Sequence, residues 1–167
     1  MYSPSNPQPT QDFESIWAEI KLSLEWQHGF GFYLVLSDDP RSARQLRQQV
    51  EDATRLRTRL LQWVCPQNPE TAVQEALHAA FPTGEARRFH DWQAPLWLEL
   101  TTAPGDAAWD QARRATLSAL NRRRSALEQQ CPRPLFIQLP SSFAPEIVTW
   151  APDLWSVRQF VAVLTPV

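Results

Sequence analysis

Three carboxylates lie where apolar segments of this sequence end, which is where α/β proteins gather ligands. Asp38 and Asp39 follow the apolar run at residues 30–36, and Glu99 lies near the end of a second run. Together they could hold Mg²⁺ for nucleotide or phosphoryl chemistry. The turn after the first run has neither the glycines nor the lysine of a phosphate loop, and the chain's one lysine, Lys21, precedes that run. We therefore expect Asp38 or Asp39 to cap the next helix, with the magnesium site as the alternative.

The histidines and cysteines do not form a catalytic or metal-binding pattern. His28, His78 and His90 are far apart and none lies in a nucleophile motif. Cys65 and Cys131 each lie beside a proline at the predicted end of a helix, without CxxC spacing. We expect two free structural thiols, no catalytic residue, no metal and no cofactor.

Apolar periodicity predicts alternating helices and strands after a polar leader at residues 1–11. The predicted strands are residues 30–36, 96–100, 135–139 and 157–164, and the predicted helices are residues 13–24, 40–64, about 69–81, 106–130 and 145–150. Alternation of this kind requires crossover connections. The pattern therefore predicts one α/β domain over residues 12–167, a three-layer sandwich with a mainly parallel sheet of four to five strands.

Composition excludes some classes of function. The formal net charge is −2 and the pI is near 5.9, which argues against a general nucleic-acid or membrane-surface binder. No apolar run approaches the length of a membrane span, and the leader lacks the apolar core of a secretory signal, so we expect a cytoplasmic protein. Arginines in the predicted helix at residues 41–59 keep a nucleic-acid-binding accessory domain as a second alternative.

Polar residues on the predicted fourth helix need partners. Asn121 and Arg124 fall on or beside its apolar stripe, so we expect Arg124 to pair with Asp153 while Asn121 binds loop backbone groups. Arg124→Ala is then expected to cost several kcal/mol, about 3–5 for a buried pair. Arg122 and Arg123 point elsewhere and, with Arg113 and Arg114, are expected on a solvated basic face.

Three segments in the last third of the chain carry a resemblance to a known family. They are LNRRR at residues 120–124, RPLFIQLP at 133–140 and APDLWSVR at 151–158. They resemble degenerate STAND-type P-loop modules of bacterial multidomain signalling and defence proteins. The resemblance implies a P-loop-like topology that lacks the phosphate loop, and a scaffold or sensor module that recognises another protein. Within these segments we expect Asn121, Arg124, Asp153 and Arg158 to be structural polar residues.

The leading hypothesis is a non-catalytic protein-interaction or scaffold domain. Eight tryptophans are many for this length, and tryptophan and arginine are enriched at protein interfaces. Trp150 and Trp155 flank a proline-containing turn and are the candidate partner-binding aromatics, together with Arg122 and Arg123. The alternative is that both tryptophans are buried with their indole N–H groups satisfied.

Overall fold

Five parallel strands form the centre of the structure, a computed structural model that describes residues 11–55, 60–83 and 94–166. The strands are β1 (Gly31–Ser37), β2 (Gln62–Val64), β3 (Leu96–Glu99), β4 (Pro134–Leu139) and β5 (Arg158–Leu164). Within this part of the chain their order in the sheet is β2-β3-β4-β1-β5, and every neighbouring pair is parallel. The predicted three-layer α/β sandwich is confirmed.

Helices cover both faces of the sheet. They are α1 (Phe13–Trp26), α2 (Pro40–Thr54), α3 (Ala72–Ala80), α4 (Ala107–Arg122), α5 (Arg124–Gln130), α6 (Ala144–Trp150) and α7 (Pro152–Ser156), with a 3-10 turn at Ser141–Phe143. The main buried apolar residues of α1 and α2 share one apolar cluster, and those of α3 to α7 share the other. This division follows from right-handed crossovers, because the chain moves from β1 towards β2 in one direction and then returns in the other. A small third cluster joins Ala72 of α3 to Trp109 and Ala112 of α4.

Period-two alternation in the central strand supplies both apolar clusters. All seven residues of β1 are buried. Phe32, Leu34 and Leu36 face the cluster of α3 to α7, whereas Tyr33 and Val35 face that of α1 and α2. A strand with helices on both faces reads as a continuous apolar run, which is why β1 is visible in the sequence.

An aromatic stack crosses the sheet on the α1 and α2 face. The Tyr33 and Phe136 ring centroids lie 4.5 Å apart, and those of Phe136 and Trp97 lie 5.0 Å apart. The Trp97 indole Nε1 donates to Gln138 Oε1 at 2.9 Å, deep in the core. The stack joins β1, β4 and β3 through side chains as well as through the backbone.

The prediction of one helix over residues 40–64 is wrong. Helix α2 ends at Thr54, and residues 62–64 form the edge strand β2, which pairs with β3. Leu60 and Val64 fit the helical spacing, but Leu60 is 63% exposed and Val64 pairs with Leu98. Three strand residues are too few to show a period of their own.

The predicted helix at residues 106–130 is interrupted. Helix α4 ends at Arg122, and Arg123 has φ −106° and ψ 21° before α5 begins at Arg124. The Arg123 backbone N–H bonds to the carbonyl of Leu120, a tighter closure than the α-helical one. Leu127 on α5 is nevertheless buried, as the apolar stripe of the predicted single helix requires.

Candidate functional site

The crevice between β1 and β4 is the place where an open α/β sheet binds ligands. The connection that follows β1 leads to α2 on one face, and the connection that follows β4 leads to α6 on the other. Here the two loops are joined, because the Ser141 backbone N–H donates to Asp38 Oδ1 at 3.0 Å. The chain's own carboxylate thus crosses the crevice at its mouth.

Asp39 occupies the N-terminus of α2. Its Oδ1 accepts the Arg41 backbone N–H at 3.0 Å, and its Oδ2 accepts the Ser42 hydroxyl at 2.9 Å. Backbone N–H groups at a helix N-terminus favour an anion, and this carboxylate supplies one from within the chain. The predicted capping role is confirmed for Asp39, with Pro40 in the first turn.

Glu99 belongs to a separate cluster at the carboxyl ends of β2 and β3, the Glu99 cluster. The Cys65 thiol donates to Glu99 Oε2 at 3.0 Å, and an Arg47 guanidinium nitrogen lies 3.8 Å from Glu99 Oε1. The same guanidinium lies 4.0 Å above the Trp63 ring. The parallel register of β2 and β3 brings Cys65 to Glu99 although they are 34 residues apart. The predicted position of Cys65 at a helix end is wrong, since it follows β2.

The Glu99 cluster holds Cys65 in its unreactive form. The pKa of the Cys65 thiol is raised to about 12. Burial is the largest cause, and the hydrogen bond to Glu99 acts in the same direction. A thiol nucleophile or thiolate ligand requires a lowered pKa. The arrangement therefore keeps the thiol protonated at neutral pH, where it acts as a hydrogen-bond donor.

Alkylation should measure this effect directly. In a Cys131→Ala background, we expect Cys65 of the folded domain to react with iodoacetamide at pH 8 about 1000-fold more slowly than in urea, because its pKa lies about three units higher. Glu99→Gln should accelerate the reaction, since it removes the carboxylate. Because the folded state binds the thiol proton more tightly than the unfolded state, the protonated thiol stabilises the fold. This stabilisation is fully present below the ordinary thiol pKa and is lost as the pH rises towards 12. Equal rates in folded and unfolded chains would contradict the prediction.

The predicted magnesium ligands have separate partners. Asp38 binds the Ser141 backbone, Asp39 caps α2, and Glu99 binds Cys65 and Arg47. Within residues 11–55, 60–83 and 94–166, no group of three or more His, Cys, Asp or Glu side chains is arranged to hold a metal ion.

The predicted Arg124–Asp153 pair is wrong. Arg124 is partly exposed and its Nε lies 3.2 Å from Glu128 Oε1, one helical turn away. The prediction that Asn121 binds loop backbone groups is confirmed. Its Oδ1 accepts hydrogen bonds from the backbone N–H groups of Asp153 at 2.8 Å and Leu154 at 3.1 Å. It supplies a cap to α7, whose own cap residue, Ala151, has no side-chain acceptor.

The remaining predicted residues of the last third lie on different elements, from α4 to the start of β5. The Arg158 guanidinium lies 3.9 Å above the Trp155 ring and donates to the Trp155 carbonyl at 2.7 Å. Trp155 is partly buried against the core, whereas Trp150 is 38% exposed. Arg122 and Arg123 are exposed, and the Arg123 guanidinium lies 5.8 Å from the Phe81 ring.

Arg113 lies in the core, so the prediction that it joins a solvated basic face is wrong. It is 0% exposed, and its guanidinium donates to the carbonyls of Leu100, at 2.7 Å, and Thr102, and to Asp110 Oδ1 at 2.5 Å. The loop after β3 is thereby tied to α4. Arg114 is half-exposed and pairs with Glu146 at 2.8 Å.

Arg133 is a second buried arginine, 1% exposed, whose guanidinium donates to the Ala79 carbonyl at 2.7 Å. It ties the start of β4 to the end of α3. Its place in the RPLFIQLP segment is the one sequence signal of its importance.

The arginines proposed for nucleic-acid binding are divided among different environments. Arg41 and Arg44 are exposed on α2, while Arg47 is half-buried in the Glu99 cluster. Arg57 and Arg59 lie outside the described residues. The exposed face of α2 therefore offers Arg41 and Arg44 beside Gln45 and Gln48, and Arg55 at the end of the helix lies 3.8 Å from Glu51.

A groove of about 520 Å³ lies between the C-terminal half of α1 and the start of β5. Leu22, Trp26, Phe30 and Phe160 are its apolar lining. Trp26 is 78% exposed and Leu22 is 57% exposed, although they lie on a helix whose other face is buried. We call this the α1–β5 groove. The sequence shows Trp26 beyond the stripe of α1, but not that β5 lies beside it.

Among the described residues, no helix is both long and apolar enough to cross a membrane. Comparison of the chain with protein-family models, with curated proteins and with solved structures finds no match.

Proposed function

We propose that this domain is a non-catalytic protein-interaction module. The observation that carries the proposal is the exposure of Trp26, at 78%, with Leu22 one turn earlier at 57%. Large apolar side chains that adjoin one another at a surface are typical of protein-binding sites, and tryptophan is the residue most enriched at their energetic centres. The α1–β5 groove gives such a partner a concave surface.

The crevice between the carboxyl ends of β1 and β4 supports a non-catalytic function. Asp38 bridges it to Ser141, and Asp39 supplies the anion at the N-terminus of α2. Glu99 is engaged by Arg47 and by a thiol that stays protonated. These contacts argue against the alternative in which the three carboxylates hold magnesium for a nucleotide or phosphoryl-transfer reaction.

The biological setting of the proposal comes from the resemblance in residues 120–158. On that basis the domain is a cytoplasmic scaffold or sensor module of a bacterial signalling or defence assembly, and it recognises another protein or an attached effector. Trp150, at the end of α6 and 38% exposed, is the other candidate for partner contact.

Quantitative affinity capture from the native host tests the proposal. The intact domain is expected to retain a specific protein, and Trp26→Ala is expected to reduce retention at least about tenfold, as the loss of a central tryptophan does. Trp63→Ala is the matched control, because Trp63 is 52% exposed at the opposite edge of the sheet. Absence of any specific protein would count against the proposal.

Calorimetry provides the opposing test. We expect no heat of binding when ATP or GTP is added with Mg²⁺, since the crevice is bridged by Asp38 and Ser141. Sub-millimolar binding of either nucleotide would favour the enzymatic alternative over an interaction module.

A further inference from the structure

The two edge strands of the sheet differ in how well they are protected from pairing with a strand of another chain. Edge strand β2 has three residues, and the Arg47 guanidinium covers its exposed Trp63 at 4.0 Å. Edge strand β5 has seven residues and pairs with β1, and no strand of the described chain lies on its outer side. Residues 160–164, FVAVL, contain no charge and no proline. Proteins usually shorten or charge such an edge, or break it with proline, so β5 has the properties of a strand that accepts another strand.

The side chains around β5 suit an added strand. The α1–β5 groove begins at Gln159 and Phe160 on the α1 side, and Val163 is 52% exposed along the same strand. A strand paired with β5 would direct alternate side chains to the two faces of the sheet. Those on the α1 side would reach Leu22 and Trp26, which would lose their exposure to water.

The negative charge of α1 favours a positively charged partner at this edge. Glu14, Glu19 and Glu25 are exposed on α1 against one exposed basic residue of that helix, Lys21, and Glu19 lines the groove. Arg158 at the start of β5 is also exposed, but its guanidinium is engaged by the Trp155 ring and carbonyl. Pairing of β5 with the β5 of a second copy would bring two helices of the same negative charge to one seam, which opposes association. The first ten residues of the chain contain three prolines and no lysine or arginine, so they lack both the donors and the charge for this role.

We propose, building on the interaction function above, that β5 and the α1–β5 groove bind an extended segment of a partner protein as an additional strand. Every second residue of the segment points to the α1 side, where an apolar residue fills the groove beside Trp26 and a Lys or Arg two or four positions away faces Glu19. The residues between them point to the other face of the sheet, where apolar side chains lie beside Val163. Backbone hydrogen bonds to β5 supply part of the affinity.

Selection from an unbiased library of displayed eight-residue peptides tests this proposal on the full chain. We expect enriched peptides to be rich in β-branched or aromatic residues and to carry a Lys or Arg two or four positions from one of them, on the same face of the strand. Binding of the best peptide, measured by fluorescence polarisation, should weaken at least about tenfold in Trp26→Ala and in Val163→Lys. Glu19→Lys should weaken it as well, and Trp63→Ala should leave it within about twofold, because Trp63 lies on the other edge.

Backbone methylation of the peptide distinguishes strand addition from simple side-chain docking. N-methyl groups at alternate residues should abolish binding in one register and leave it nearly unchanged in the other, since only half of the N–H groups of an added strand face β5. Equal effects in both registers would overturn the proposal.

Other outcomes would also overturn it. One is a selection that enriches no peptide or enriches acidic peptides. Another is peptide binding that Trp26→Ala and Val163→Lys leave unchanged. The last is self-association of the chain that Val163→Lys abolishes. A captured protein whose binding depends on Trp150 alone would refute this edge as the site while the interaction function stands. Capture of no protein, together with nucleotide binding, would refute both.

Discussion

Arg113→Ala is expected to lower the free energy of unfolding by about 3–5 kcal/mol, the range for removing one partner from a buried charged network. The Arg113 side chain is 0% exposed and donates to two carbonyls of the loop after β3 and to Asp110. Alanine would leave the Leu100 and Thr102 carbonyls without these donors and would open a cavity beside them. Urea denaturation followed by circular dichroism gives the measurement.

Arg124→Ala is the matched control for this prediction, because Arg124 belongs to the next helix of the same segment and pairs with Glu128 at the surface. We expect it to change stability by at most about 0.5 kcal/mol, as exposed i,i+4 pairs do. This replaces the expectation of a large effect at Arg124. Similar losses at both positions would contradict the assignment of Arg113 as the buried arginine of α4.

Trp97→Ala is expected to cost about 3–5 kcal/mol, as truncation of buried tryptophans generally does. Trp97 is 0% exposed, stacks on Phe136 and donates its indole N–H to Gln138. Alanine would remove the stack at β3 and leave a buried amide oxygen without its donor. Trp97→Phe should cost less, because it keeps the ring and loses the hydrogen bond.

The exposed Trp26 serves as the control in thermal and urea melts. Trp26→Ala should leave the free energy of unfolding within about 0.5 kcal/mol, because its indole is already 78% exposed. A large loss of stability at Trp26 would mean that it packs against the domain. A small loss at Trp97 would place that residue outside the core.

The sequence predicts those elements of the fold that are long enough to show a period. Strands β1, β3, β4 and β5 each coincide with an apolar run between turn residues, because a sheet covered on both faces requires such runs. Strand β2 could not be found in this way. Its three residues fit the preceding helical period as well, and what makes them a strand is their pairing with β3.

The buried arginine of α4 shows how far periodicity can be extended. The buried residues of α4 include Arg113 together with Trp109 and Leu117, whereas the sequence predicts Arg113 on a solvated face and Arg124 in a buried pair. Both predictions are wrong, since Arg113 is 0% exposed and Arg124 pairs with Glu128 at the surface. Periodicity alone does not show that a buried guanidinium will find acceptors, as Arg113 does in the carbonyls of the loop after β3.

The Glu99 cluster was beyond prediction for a different reason. Cys65 and Glu99 meet because β2 and β3 are neighbours in register, and Arg47 arrives from α2 on the same face. Each contact depends on the order of the strands, which composition and spacing do not determine. The α1–β5 groove has the same origin, since its two sides are more than 130 residues apart in the chain.

The carboxylates of Asp38 and Asp39 have a consequence for regulation. In nucleotide-dependent switches, a bound phosphate orders the loop after the first strand, and its loss releases that loop. Here covalently attached anions hold the same loop to Ser141 and to the start of α2. Such a tether is not removed by exchange or hydrolysis of a ligand, so the contacts of this loop do not depend on a bound phosphate.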